Sequence, residues 1–149
     1  MPAHCVAPSP TLRVVLDTCI LKLATLPTPT NAAALIYELA LSGLIEVWAS
    51  PAMFDEYADV LSDRPELVAE FAGCCQLCHP ITELQVIRHE PDNRFLECAF
   101  AVEADFLITV NTARGHFDRK AYQQVRVATP GEFLKLAEVR PLLARLVDE

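Results

Sequence analysis

The sequence predicts an α/β fold built on a mainly parallel sheet, and three observations carry that expectation. Short apolar, β-branched runs of strand length (Leu12 to Asp17, Leu44 to Ala49, Phe106 to Val110) alternate with stretches of helical apolar spacing. A capping residue followed by proline marks helix entries at Thr28-Pro29, Ser50-Pro51 and Thr129-Pro130. Strands separated by helices need right-handed crossovers, which lay the strands parallel.

Taken in order, residues 1–11, with Pro2, Pro8 and Pro10, read as an irregular lead-in, and residues 12–149 as one domain. Leu12 to Leu16 is a strand buried on both faces, with Asp17 at its carboxyl end. Leu21 to Thr28 reads as a loop. The helix opened by Thr28-Pro29 keeps Ala32, Leu35, Ile36, Leu39 and Ala40 on one face, and Gly43 stops it. Leu44 to Ala49 is the second strand. From Pro51 to about Leu61, a helix carries Phe54, Tyr57 and Leu61 as its apolar stripe. Another is expected from Pro65 or Glu66 to about Cys78, where His79-Pro80 breaks it. Leu84 to Ile87 is a short strand, and Pro91-Asp92 begins a helix with Phe95, Leu96, Ala99 and Val102 at helical intervals. Phe106 to Val110 and Gln124 to Val127 are further strands, separated by a polar, basic stretch. Thr129-Pro130 opens the terminal helix, and Pro141 sets off a last short helical turn.

The 149 residues suffice for a substantial core, and 52% hydrophobic content with 4 glycines points to a folded chain. No basic segment leads into an apolar one at the start, and no apolar run approaches the roughly 20 residues needed to span a bilayer. The expected location is therefore cytoplasmic, with no membrane partner. In that compartment Cys5, Cys19, Cys74, Cys75, Cys78 and Cys98 read as reduced, mostly buried thiols. Cys75-Gln76-Leu77-Cys78-His79 matches the c-type haem attachment pattern, but nothing suggests export, and no second ligand pair follows at zinc spacing. Buried helix cysteines are the expectation. A net charge of −8 argues against nucleic-acid binding through a broad basic face. It leaves room for a nuclease, which must concentrate carboxylates around a metal, and for a basic partner.

Three acids recur at similar places. Asp17 ends the first strand; Glu56 sits between Met53 and Val60 on a partly apolar helix face; Asp92 shares a helix row with Phe95, Leu96 and Ala99. Acids in such settings are costly unless something positive meets them. A hard divalent cation held by carboxylates and waters is one solution, and it suits phosphodiester hydrolysis. Each acid also has an ordinary structural reading: Asp17 as a turn acid bonding Thr18 or Cys19, Asp92 as a helix N-cap, Glu56 paired with a neighbouring Arg or Lys. Spacing alone leaves the two readings level. Arg114, His116, Arg119, Lys120 and Arg126 form a basic patch with Phe117 and Tyr122 among them. It is either a solvated loop or an RNA backbone contact with a ring available for stacking.

The order and spacing of several stretches resemble PIN-domain proteins, in the toxin–antitoxin (VapC-like) branch. They are Val14-Val15-Leu16-Asp17-Thr18, Ser50-Pro51 through Glu56-Tyr57, Pro91-Asp92-Asn93-Arg94-Phe95-Leu96-Glu97-Cys98-Ala99, and Ala104-Asp105-Phe106-Leu107-Ile108-Thr109 through Asn111. His116-Phe117 and Thr129-Pro130-Gly131-Glu132-Phe133-Leu134 fit the same branch. The resemblance implies a three-layer α/β/α fold with a central, mainly parallel sheet of four to five strands. It implies a Mg²⁺- or Mn²⁺-dependent endoribonuclease, the toxin of a toxin–antitoxin pair. Asp17, Glu56 and Asp92 would be the metal-binding acids, Asn111 would orient water or metal, and Thr18, Arg114, His116, Arg119 and Lys120 would contact RNA. An antitoxin protein and a homodimer are the implied partners.

The chain departs from the branch at three places. Cys19 stands where Asn usually follows Asp-Thr, and Thr109-Val110-Asn111 replaces Thr-Gly-Asp with its fourth acid. The alternative reading is a non-catalytic binding module of the same fold with an eroded metal site. Glu97 and Asp105 are reserve acids, expected to be structural. A phosphotransfer site of the haloacid type would want a second Asp where Cys19 stands.

Overall fold

The computed structural model describes residues 11–27 and 31–148. The lead-in, Cys5 and the expected Thr28-Pro29 helix entry lie outside the described residues. Strands β1 (Arg13–Leu16), β2 (Glu46–Ala49), β3 (Gln76–Leu77), β4 (Phe106–Ile108), β5 (Ala121–Tyr122) and β6 (Val125–Ala128) form one sheet in the order β3-β2-β1-β4-β6-β5. Every pairing is parallel except β5 with β6. The helices are α1 (Thr18–Ala24), α2 (Ala32–Leu41), α3 (Pro51–Val60), α4 (Pro65–Cys74), α5 (Asn93–Ala101), α6 (Pro130–Leu134) and α7 (Arg140–Asp148), with a 3-10 turn at Glu90–Asp92 leading into α5. They flank the sheet in a three-layer α/β/α arrangement, with α5 packed across β1, β2 and β4.

β1 is central because Val14, Val15 and Leu16 are apolar on both faces, and all three are fully buried. The chain runs outward from β1 through β2 to β3, then returns to place β4 on the other side of β1. The strand order therefore reverses between β1 and β4, which leaves a crevice at their carboxyl ends, where open α/β sheets build sites.

Several expectations are corrected. The loop expected from Leu21 is helix α1, which begins directly after Asp17 and buries Ile20 and Leu21. Seven residues are too few for a helical period to stand out in sequence. Among the described residues, α2 begins at Ala32 with Asn31 as its cap, the side chain accepting from the Ala34 amide at 3.3 Å. The helix expected to reach Cys78 stops at Cys74, because Gln76 and Leu77 pair with Trp48 and Ala49 and extend the sheet. The Cys78 amide continues this edge by donating to the Ala49 carbonyl at 2.8 Å.

Leu84 to Ile87 joins no strand. Its amides are taken up by side chains instead: Leu84 donates to Glu97, and Val86 and Ile87 donate to Asn93. The sheet has six strands rather than four or five, the additions being the two-residue edges β3 and β5. After Thr129, a capping box with Glu132 starts α6, and the last turn expected around Pro141 is the nine-residue helix α7.

Candidate acidic and histidine site

Parallel register brings the first residues of the site together. Leu16 pairs with Ile108 and Ile108 with Ala128, so Asp17 and Thr109 emerge side by side at the carboxyl ends of β1 and β4. The Asp17 amide donates to the Ile108 carbonyl at 3.0 Å, which fixes the side chain's root. Asp17 is 3% exposed. Its Oδ1 accepts from the Thr18 amide at 2.7 Å, and its Oδ2 accepts from the Thr109 hydroxyl at 2.7 Å and the Asn111 side-chain amide at 3.3 Å. Thr109 is in turn oriented by the Asn111 backbone amide, which donates to its Oγ1 at 2.9 Å. The turn-acid role of Asp17 toward Thr18 and Cys19 is thus present, inside a larger network.

Asp92 and Glu56 face the same region from two other elements. Asp92 closes the 3-10 turn and precedes α5, yet its side chain caps nothing. Instead its two oxygens meet two imidazoles: Oδ1 lies 3.1 Å from His89 Nδ1 and Oδ2 lies 3.1 Å from His116 Nδ1. The two rings lie against each other, centroids 4.6 Å apart. Glu56 is half-buried on α3 and makes no ion pair with Arg or Lys among the described residues.

Burial pushes the Asp17 carboxyl above its ordinary range, and the charge of Asp92 adds to it, while the bonds from Thr109 and Thr18 hold it back. Glu56 is likewise raised, first by burial and then by the charges of Asp17 and Asp92, with His89 and the Thr18 hydroxyl acting the other way. The charge of Asp92 thus reaches Asp17, and both reach Glu56, and none of the three pairs with an Arg or Lys among the described residues. The Thr18 hydroxyl is buried beside them and faces Glu56 without reaching hydrogen-bond geometry with it or with any other described group. Mutually repelling carboxylates beside an unpartnered buried oxygen are a donor set that fits a divalent cation.

At the departures from the resemblance, Cys19 turns its sulfur toward Asp17 Oδ2 at 3.6 Å and Thr109 Oγ1 at 3.8 Å. Burial, followed by the Asp17 charge, pushes its thiol up to about 12, so it stays a neutral, weak donor. Val110 is exposed, and Asn111 stands in the network as a donor.

Other expected groups lie elsewhere. Phe117 and Tyr122 are buried, so neither offers a ring for stacking, which corrects that expectation. Arg126 packs its guanidinium 4.1 Å from the Phe106 ring centroid and pairs with Glu138, away from the acids. Arg114, Arg119 and Lys120 are exposed, and the last two line a cavity of about 340 Å³ with Thr112, Asp118 and Thr129. Thr18, expected to contact RNA, is buried. Glu97 holds the Leu84 amide and Arg94, and Asp105 accepts from the Arg13 amide at 2.8 Å. Of the cysteines expected on a helix, Cys74 ends α4, but Cys75 and Cys78 flank β3; Cys78 meets Cys98 of α5 with sulfurs 3.1 Å apart.

Sequence reasoning missed His89 and gave Thr109 no part in the site. His89 stands three residues before Asp92, a spacing that shares one face only once Glu90–Asp92 is known to be helical. Thr109 follows from the β1–β4 register, which no local pattern encodes.

A family model described as PIN domain matches residues 13–113. Neither the comparison with curated proteins nor that with solved structures returns a match. The matched segment spans the greater part of the chain and includes Asp17, Glu56 and Asp92: the chain belongs to the PIN-domain family.

Proposed function

We propose that this protein is a metal-dependent endoribonuclease acting as the toxin of a toxin–antitoxin pair, with Asp17, Glu56 and Asp92 as its metal-holding acids. One observation carries the reading: around the β1–β4 switch point the charge of Asp92 raises Asp17 and the charges of both raise Glu56, and among the described residues none of the three pairs with an Arg or Lys. Membership of a family that is commonly nucleolytic supports the reaction class. The toxin role and the RNA substrate are supported by the resemblance of the motifs to the toxin branch.

When bound, Mg²⁺ or Mn²⁺ would supply a deprotonated water and neutralise charge on the scissile phosphate. The chain's own residues do the rest. Thr18, Thr109 and Asn111 hold Asp17 in one orientation, so its remaining lone pairs point in a fixed direction. Glu56, half-buried on α3, would hold the metal together with Asp17 and Asp92. Arg114, Arg119 and Lys120 offer exposed positive charge to the RNA backbone. Asn111 orients water from the position where the family often carries a fourth acid.

The test is cleavage of RNA by purified protein with Mn²⁺ or Mg²⁺. Asp17→Asn is expected to abolish it, and equal cleavage by that variant, with contaminating nuclease excluded, overturns the proposal. For the toxin role, expression is expected to arrest growth, and co-expression of a small adjacent-gene protein with a basic DNA-binding head is expected to relieve the arrest.

A further inference from the structure

We propose that His89, Asp92 and His116 form a binding site for a borderline transition-metal ion of the Zn²⁺, Co²⁺ or Ni²⁺ class. The site shares Asp92 with the nuclease site but does not depend on RNA cleavage. One ring nitrogen from each histidine and an Asp92 oxygen all lie within 4.8 Å of one another. Two ligands about 2.1 Å from one ion at tetrahedral or octahedral angles are about 3.0–3.4 Å apart. Both Nδ1–carboxylate separations are 3.1 Å, so rotation of the partly exposed rings suffices to close the set around an ion.

The donor chemistry selects the metal. Two imidazoles and one carboxylate suit Zn²⁺, Co²⁺ and Ni²⁺, whereas Mg²⁺ favours oxygen ligands and its own waters. The scaffold is built for this meeting. The His89 amide donates to the Gly115 carbonyl at 2.8 Å, tying the turn that carries one histidine to the loop that carries the other. The Gly115 amide is held by Asp118 at 3.0 Å, and its φ of +92° suits glycine. Asn93 is fully buried and fixes the backbone from Val86 to Glu90. Asp92 is 4% exposed, so a carboxylate withdrawn from water faces two solvent-reachable rings. Ion-free, His116 Nδ1–H donates to Asp92 Oδ2, with His89 Nδ1 3.1 Å from Oδ1; on binding, each ring presents a bare Nδ1 to the metal and carries its proton on Nε2, exchanged through water.

Tag-free protein titrated with Zn²⁺ and followed by imidazole NMR tests this. His79 serves as an internal reference, because it adjoins Cys78 and would report an ion captured by thiols. The expected result is that the His89 and His116 signals shift together and change tautomer, His79 stays in place, and Mg²⁺ changes the tautomer of neither. His89→Gln and His116→Gln, both at partly exposed positions, are each expected to weaken Zn²⁺ at least about tenfold by calorimetry. Zn²⁺ that leaves both signals unmoved, or binds the double variant as tightly as the parent, overturns the site in favour of a plain hydrogen-bonded clamp on Asp92. Imidazole ligation without RNA cleavage refutes the nuclease reading and keeps this one; cleavage under Mg²⁺ without imidazole ligation does the reverse.

Discussion

Asn93→Ala is the substitution whose cost follows most directly from the structure. Asn93 is fully buried. Its Oδ1 accepts from the Val86 amide at 3.0 Å and the Ile87 amide at 2.9 Å; its Nδ2 donates to the Ile87 carbonyl at 2.9 Å, the Glu90 carbonyl at 3.1 Å and the Glu90 carboxylate at 3.0 Å. Alanine removes every one of these. Val86 and Glu90 are exposed, so water replaces their lost partner at little cost. Ile87 is buried, and its N–H and C=O are both left without a partner. Each orphaned buried backbone group costs about 1–3 kcal/mol, so a loss of about 3 kcal/mol is expected.

For a domain of this size, that corresponds to a fall in Tm of about 10 °C. Urea and thermal unfolding measure the total, and hydrogen exchange locates it. The Ile87 amide, protected in the parent, should exchange freely in the variant well below the melting transition. A loss under about 1 kcal/mol, or an Ile87 amide that stays protected, would refute the reasoning, because the backbone would then have another partner.

Asp17→Asn is expected to stabilise the metal-free protein at neutral pH while removing its response to Mn²⁺. The folded state raises the affinity of Asp17 for its proton. The native protein therefore binds protons in excess between the unfolded carboxylate range near pH 4 and the raised folded value. Ionisation costs stability above that window, and the cost disappears as pH falls through it, so the variant's advantage in Tm should vanish in acid. An advantage that persists there would sink the assignment. Tyr57→Phe removes the hydroxyl that donates to the buried Leu16 carbonyl at 2.5 Å; it should cost about 1–2 kcal/mol by urea unfolding, and an unchanged midpoint would show that the bond is replaced. Among the described cysteines, Cys74 should react first with a thiol reagent, since the neighbouring Cys75 thiol lowers its pKa. Cys78 and Cys98, buried and raised, should wait for unfolding. Equal rates by mass mapping would contradict this.

What the sequence made legible follows from how local each signal is. β1, β2, β4, α3 and α5 announce themselves because apolar period, caps and proline entries all lie within the segment. Leu84 to Ile87 has the composition of a strand, yet its amides bond to Asn93 and Glu97, and no reading of residues 84–87 alone anticipates partners on the following helix. The helix expected to run on to Cys78 yields to β3 because pairing with β2 satisfies the edge, and that pairing is long-range. The site divides in the same way. Asp17, Glu56 and Asp92 stand out as candidate ligands from their placement and the family resemblance. Thr109 enters through strand register, and His89 through a helical turn that its own neighbours, His89-Glu90-Pro91, do not advertise.

Asn111 completes the electrostatic argument. Its side-chain amide donates to Asp17 Oδ2 at 3.3 Å. A carboxylate in its place would bring a like charge to that distance, a repulsion of about 5 kcal/mol at an effective dielectric of 20. Residue 111 is exposed, so water screens most of this and about 1 kcal/mol survives. Asn111→Asp should therefore lower the metal-free Tm by a few degrees, push the Asp17 proton affinity higher still, and steepen the rise in stability on adding Mn²⁺. Calorimetry on the two proteins reads the exchange directly: tighter Mn²⁺ binding with weaker metal-free folding is the expected pair. Weaker Mn²⁺ binding by Asn111→Asp would place residue 111 outside the reach of any ion held by Asp17. Asparagine here replaces a charge that only a bound cation would compensate with a donor that Asp17 uses whether or not the cation is present.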